Sequence, residues 1–159
     1  MKKVAVLLLS LISLGSMAQG IKTPAPSPTQ TLKQDFALSS IEINYSRPAA
    51  KGRKVFGDLV PFGKIWRTGA NGATKITFGE DVKVGGIPVK SGSYAIYSVP
   101  NANEWEIIIN KGANNSGLTG YKTEDDVARF KVKPMQLSMN IESFTIMLGN
   151  LTASSASGI

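Results

Sequence analysis

The chain has 159 residues, with 18 Lys and Arg against 11 Asp and Glu, a formal net charge of +7, and neither histidine nor cysteine. Without cysteine there are no disulfides, thiol nucleophiles or thiolate metal sites. Without histidine, Ser-His-Asp and Cys-His catalysis are excluded and zinc would have only carboxylates to bind, so no metal or cofactor is expected.

Met1-Lys2-Lys3 opens the chain with positive charge, and Val4 to Leu14 is apolar except for Ser10 and Ser13. Ser16 and Ala18 then place small residues where a signal peptidase would cut after Ala18. The apolar run is shorter than the roughly 20 residues a membrane span needs. Residues 1–18 therefore read as a signal peptide, the chain is expected to be exported to a periplasmic or extracellular space, and no transmembrane segment should remain after cleavage.

Residues 19–32 hold Pro24, Pro26 and Pro28 among small and polar residues and read as an extended linker or arm. Ile41, Ile43 and Tyr45 alternate with polar residues, which predicts a half-buried strand ended by Arg47-Pro48. Residues 49–73 have no sustained period and read as a long ordered loop. Strands follow over Lys75–Phe78, Asp81–Val84, Ile87–Val89, Tyr94–Val99 and from Trp105 to Asn110. Gly85-Gly86 offers a tight turn, Pro88 confines its strand to an edge or a short length, and apolar residues of both parities predict cover on both faces of 94–99. Thr123 followed by acids resembles a helix start, leaving 127–132 open between a short helix and a strand. Met135–Ile141 and Phe144–Leu148 are further strand candidates, and 152–159 reads as a flexible tail. Short strands with closely spaced turns predict an all-β domain over 33–151, an antiparallel β-sandwich of jelly-roll-like or Ig-like topology, with one long ordered loop and at most one short helix.

The segment 45–74 carries the candidate chemistry. It holds Arg47, Lys51, Arg53, Lys54, Lys64 and Arg67 against Asp58, with Tyr45, Phe56, Phe62 and Trp66 interleaved. Guanidinium forks suit carboxylate or phosphate, and aromatic faces stack on sugars. That marks Arg47, Arg53, Trp66, Arg67 and Asn71 as a candidate ligand site. The same residues also fit an architectural role, with aromatics plugging the loop onto the sandwich and arginines satisfying loop carbonyls.

The stretches KGRKVFGDLVPFGKIWRTGANGATKITF, VGGIPVKSGSYAIYSVP and EWEIIIN resemble a family of exported bacterial proteins, mainly from Bacteroidetes, known as domain of unknown function family 2911 (DUF2911). The specific elements are GR-x-x-FG at Gly52–Gly57, WRTGAN at Trp66–Asn71 and G-x-Y at Gly92–Tyr94. The resemblance spans the chain from about Pro26 onward. It implies an extracytoplasmic β-rich domain and supplies no catalytic residues. Such proteins usually run past the counterpart of Phe144–Ser157 into a further strand bearing a Trp-Glu pair. Lack of that strand would leave a sheet edge unpaired, which invites an edge-strand dimer.

Three function classes remain. A carboxylate hydrolase needs two facing carboxyls, and no spacing among Asp58, Glu80, Asp81, Glu104, Glu106 and 124–126 singles out a pair. A binding module would present the arginines and Trp66 to a glycan or other anionic small molecule. An interaction protein would dock an envelope protein through the same loop. The basic balance favours anionic partners generally, but export and the lack of a recognised motif leave nucleic acid unexpected. A non-catalytic binding or interaction module is the expectation.

Overall fold

The computed structural model describes residues 23–152 and 154–158. The expected signal peptide, and the arm up to residue 22, lie outside the described residues. In chain order the strands are β1 (Thr29–Phe36), β2 (Ser39–Ser46), β3 (Thr74–Phe78), β4 (Val82–Val84), β5 (Ile87–Val89), β6 (Gly92–Val99), β7 (Trp105–Asn110), β8 (Asp126–Val132), β9 (Leu148–Gly149) and β10 (Ser157–Gly158). Among the described residues a single 3₁₀ turn, at Thr123–Asp125, is present.

The protein is all-β, as the alternation predicts. Six strands form one antiparallel sheet in the order β1-β2-β3-β6-β7-β8. Chain neighbours are sheet neighbours throughout, except where the β4–β5 hairpin leaves the sheet between β3 and β6. That hairpin turns at Gly85 and Gly86, both at positive φ (57° and 83°), the pairing that suits a two-residue turn with the twist of the strands. Gly85 also lies against the Phe130 ring, where a Cβ would collide.

Register fixes which side chains meet. Ile41 faces Phe78, Ile43 faces Ile76, Ile76 faces Tyr94, and Ile96 faces Ile109. These residues share one face, and the hairpin side chains Val82, Val84, Ile87 and Val89 pack over it with Phe144, Ile146 and Leu148. The second layer of the sandwich is therefore a short hairpin plus an irregular C-terminal segment. Ala95, Tyr97 and Ile108 point the other way and are covered by Ile65, Ala73 and Tyr121. Both faces of β6 are covered, as its mixed parity predicts.

Beside that second cluster, Asp126 ties β8 to its surroundings. It accepts from Asn110 Nδ2 (2.7 Å), Tyr121 Oη (3.0 Å) and Arg129 Nε (2.7 Å), while Arg129 Nη1 reaches Glu106 at 2.7 Å. Burial raises the Tyr121 phenol above its ordinary value, because the buried phenolate would lose hydration.

The structure corrects three of the sequence expectations and decides one that was open. The arm stops before Thr29, since 29–32 already belong to β1, which the sequence hid because only Leu32 and Phe36 of that strand are apolar. The helix start at Thr123 yields one 3₁₀ turn, and 126–132 is strand. Met135–Ile141 makes no ladder, and of Phe144–Leu148 only Leu148 joins a strand. Phe144, Ile146 and Leu148 pack over the face of the sheet instead of along its edge, so their alternation is that of extended chain. The tail is not wholly loose, because Ser157 and Gly158 pair with Gly149 and Leu148.

Candidate functional site

The loop between β2 and β3 is pinned by Trp66. Its N–H donates to Ser98 O (2.7 Å), and Ser98 N–H returns the bond to Trp66 O (2.9 Å). Trp66 thus continues the line of β3 beside β6, and its ring meets that of Trp105. The rings form an edge-to-face cluster: Trp66 to Phe144 at 5.2 Å, to Phe56 at 5.7 Å and to Trp105 at 6.4 Å, with Tyr45 to Phe144 at 5.7 Å. Such contacts add to the burial of large rings.

The chain then bends sharply. Thr68 (φ 53°) and Asn71 (φ 59°) sit in the left-handed region, and Gly69 is at φ 151°. Thr68 is β-branched, so this conformation is strained, at about 1–3 kcal/mol. Its hydroxyl meets Ser98 Oγ at 3.0 Å and its carbonyl accepts from Thr74 Oγ1, so the surroundings hold it in place. Gly69 is needed on a second count. A Cβ there would lie 3.1 Å from both Ser46 O and Thr74 Oγ1.

The opposite wall comes from residues 137–147. Ala50 N–H donates to Glu142 O (2.8 Å), Phe144 N–H to Pro48 O (2.9 Å), and Lys51 N–H to the Glu142 carboxylate (2.7 Å). Between the walls lies a cleft of about 790 Å³, within the roughly 300–1,000 Å³ span of small-molecule sites. Its apolar lining includes Val55, Phe56, Leu59, Trp66, Phe144 and Met147, and Arg53, Arg67 and Asn71 contribute polar groups to the same lining.

Four of the five sequence-predicted residues, Arg53, Trp66, Arg67 and Asn71, therefore line one cleft. Arg47 is not among the lining residues. Its Nε donates to Phe144 O (3.0 Å) and its Nη2 to Thr145 Oγ1 (2.8 Å), which straps the C-terminal segment to the end of β2. The others are also tied to the loop. Arg53 donates to Ala50 O (2.8 Å) and Ala49 O (2.7 Å), Arg67 Nη1 to Asn71 O (2.8 Å), and Trp66 Nε1 to Gly69 O (3.0 Å). Asn71 Nδ2 donates to Ser46 Oγ (3.1 Å) and Ser27 O (3.3 Å). A guanidinium has five N–H donors. Among the described hydrogen bonds Arg67 commits one of them and Arg53 two.

Sequence reasoning missed the second wall. Leu137, Ile141, Phe144 and Met147 lie far along the chain from the WRTGAN element, and nothing local marks them as its neighbours. Among the lining residues one carboxylate is present, that of Glu142, and it already accepts from Lys51 N–H.

A family model described as "Protein of unknown function (DUF2911)" matches residues 27–158, so the chain belongs to that family. No curated protein and no solved structure matches the chain at a significant level.

Proposed function

We propose that this DUF2911 member is an exported, non-catalytic binding module whose cleft takes an anionic ligand with an apolar body. The observation that carries the reading is the common lining of the cleft: aromatic and aliphatic residues together with Arg53 and Arg67, which between them commit three N–H groups in the described hydrogen bonds. A carboxylate or phosphate head group placed there would gain charge-assisted hydrogen bonds. The strained turn at Thr68–Asn71 supports a site, because such strain gathers where binding groups are held in place.

An alkyl or other slender body suits the cleft better than a sugar ring. Trp66 already makes edge-to-face contacts with Phe56, Trp105 and Phe144, which crowd the flat approach a stacked sugar needs. Hydrolysis at two facing carboxyls would need a partner for Glu142 across about 5–10 Å.

The test is the melting temperature of residues 19–159, which carry every described element. It would be recorded with decanoate, with decanol and with an acidic oligosaccharide. A ligand that binds only the folded state raises the midpoint by mass action. Decanoate should raise it most, and Arg67→Ala should remove most of that rise while the protein stays folded. A rise with the oligosaccharide alone would restore the glycan reading. No rise with any of the three would favour the second reading, docking of an envelope protein. That reading draws on the carbonyl bonds that already engage each arginine.

A further inference from the structure

The tip of the long loop, residues 51–64, is exposed and mixed in character. Leu59 is 53% exposed, Phe62 44% and Phe56 36%. Lys51, Arg53, Lys54 and Lys64 are exposed among them, against the single acid Asp58. Phe56 anchors the loop against Trp66 and Trp105, but Leu59 and Phe62 stay half exposed, which neither a solvated loop nor a core anchor requires.

The tip is also built rather than slack. Val60 N–H donates to Val55 O (2.8 Å), Gly57 N–H to Val60 O (2.9 Å), Leu59 N–H to Lys54 O (3.3 Å) and Gly63 N–H to Pro100 O (2.9 Å). The Phe62 ring covers Gly57 so closely that a Cβ there would lie 2.8 Å from it. These bonds fix the backbone of the tip on which Leu59 and Phe62 stand exposed, so little backbone ordering entropy remains to be lost on binding. Leu137 (58% exposed) and Met147 (53% exposed), on the other wall of the cleft, add flexible apolar groups near the same mouth.

We infer that loop 51–64 is a contact surface for an anionic lipid bilayer, with Leu59 and Phe62 entering the boundary between head groups and acyl chains and Lys51, Arg53, Lys54 and Lys64 meeting the head groups. Charge selects this partner. The interfacial region of an anionic membrane takes cations and apolar side chains together, at one depth and without a set pattern of hydrogen bonds. The interleaving of the two kinds along one short segment matches that need. Arg53 and Leu59 also line the cleft, whereas Lys51, Lys54, Phe62 and Lys64 do not, so the inference rests chiefly on those four.

Flotation of residues 19–159 with vesicles tests it. Vesicles of phosphatidylcholine with an equal part of phosphatidylglycerol should carry the protein upward, and vesicles of phosphatidylcholine alone should not. Lys51→Ala with Lys54→Ala should weaken partitioning roughly thirtyfold. Leu59→Ser with Phe62→Ser should weaken it at least as much, and added salt should weaken it in the wild type. Melting curves establish that each variant is folded. If the serine pair melts early, the lysine pair decides, since its side chains are exposed. Three results would overturn the inference: no flotation, equal flotation with both vesicle types, or full retention by the serine pair. Release by inorganic phosphate at constant ionic strength would also overturn it, by pointing to a soluble anion.

Discussion

The Tyr45 hydroxyl, buried at the end of β2, accepts a hydrogen bond from the Ile146 N–H at 3.1 Å across 101 residues of sequence. Its single proton has Gln30 Oε1 at 3.3 Å and Ile146 O at 3.4 Å within reach. This one group joins β1, β2 and the segment that walls the cleft. Tyr45→Phe should keep the ring contact with Phe144 and lose these bonds. The expected cost is about 1–3 kcal/mol in urea unfolding, because the Ile146 N–H is left without its partner. A cost near zero would mean that water replaces the hydroxyl.

Gly69 and Gly86 both have positive φ, but they differ in their surroundings. A Cβ on Gly69 would press on Ser46 O and Thr74 Oγ1, whereas a Cβ on Gly86 would meet nothing within 4 Å. Gly86→Ala should cost about 1 kcal/mol, the conformational term alone. Gly69→Ala should cost more, about 2–4 kcal/mol, because backbone strain and a tight contact add. Equal losses in thermal unfolding would show that the Ser46–Thr74 contact yields freely.

Arg47 and Arg67 should separate stability from ligand capture. Arg47→Lys removes the fork that reaches both Phe144 O and Thr145 Oγ1, and a lysine presents a single point charge instead. It should lower stability by about 1–2 kcal/mol and leave the Arg67 donors in place. Arg67→Ala should reduce the decanoate-induced rise in melting temperature well beyond its effect on the free protein. Loss of the rise in Arg47→Lys at full occupancy of the fold would return Arg47 to the site.

Ala70 lines the cleft and is only partly exposed. Ala70→Phe should occupy part of the volume and abolish capture of decanoate. Vesicle flotation should persist, because loop 51–64 is untouched. Calorimetric titration and flotation on the same preparation would check both halves.

Asp81 supplies a pH-dependent contact away from the cleft. Lys90 Nζ lies 2.7 Å from its carboxylate and Ser91 N–H donates to it at 2.8 Å, which together lower its pKa below the ordinary 3.8. The folded form therefore holds the charged carboxylate more firmly than the unfolded form does. The resulting stability is present above the ordinary value and is lost as pH falls through the lowered one. Asp81→Asn should flatten that part of the melting profile, with a small amplitude because the pair is exposed. An unchanged acid limb would show that solvent screens the contact entirely.

The strands were legible where a face is buried. Ile41, Ile43 and Tyr45 declare their period because one side of β2 is buried along its length, and Pro88 fits a short strand outside the main sheet. β1 was not legible, since this edge strand is at most half buried and even its inner row alternates Gln30 and Gln34 with Leu32 and Phe36. The site was half legible. Arg47 and Arg67 look alike in sequence, each in a basic, glycine-rich stretch. Their difference lies in which carbonyl each guanidinium meets, and for Arg47 that carbonyl is 97 residues away. Met135–Ile141 shows the converse, a strand-like pattern that no ladder takes up.

The cleft walls also differ in when the chain supplies them. The residues of the six-stranded sheet are all present once β8 ends at Val132, before residue 137 has left the ribosome. Until Phe144 arrives, the Trp66 ring and the Tyr45 hydroxyl have no cover from that side. The cleft is thus enclosed only after the sheet is built, by bonds at Tyr45, Arg47, Ala50, Lys51 and Phe144 together with the packing of Phe144, Ile146 and Leu148 on the core face. That wall pairs with none of the six strands, so its opening would leave the large sheet's ladders in place and would cost those bonds together with the apolar cover that Phe144, Ile146 and Leu148 give the core.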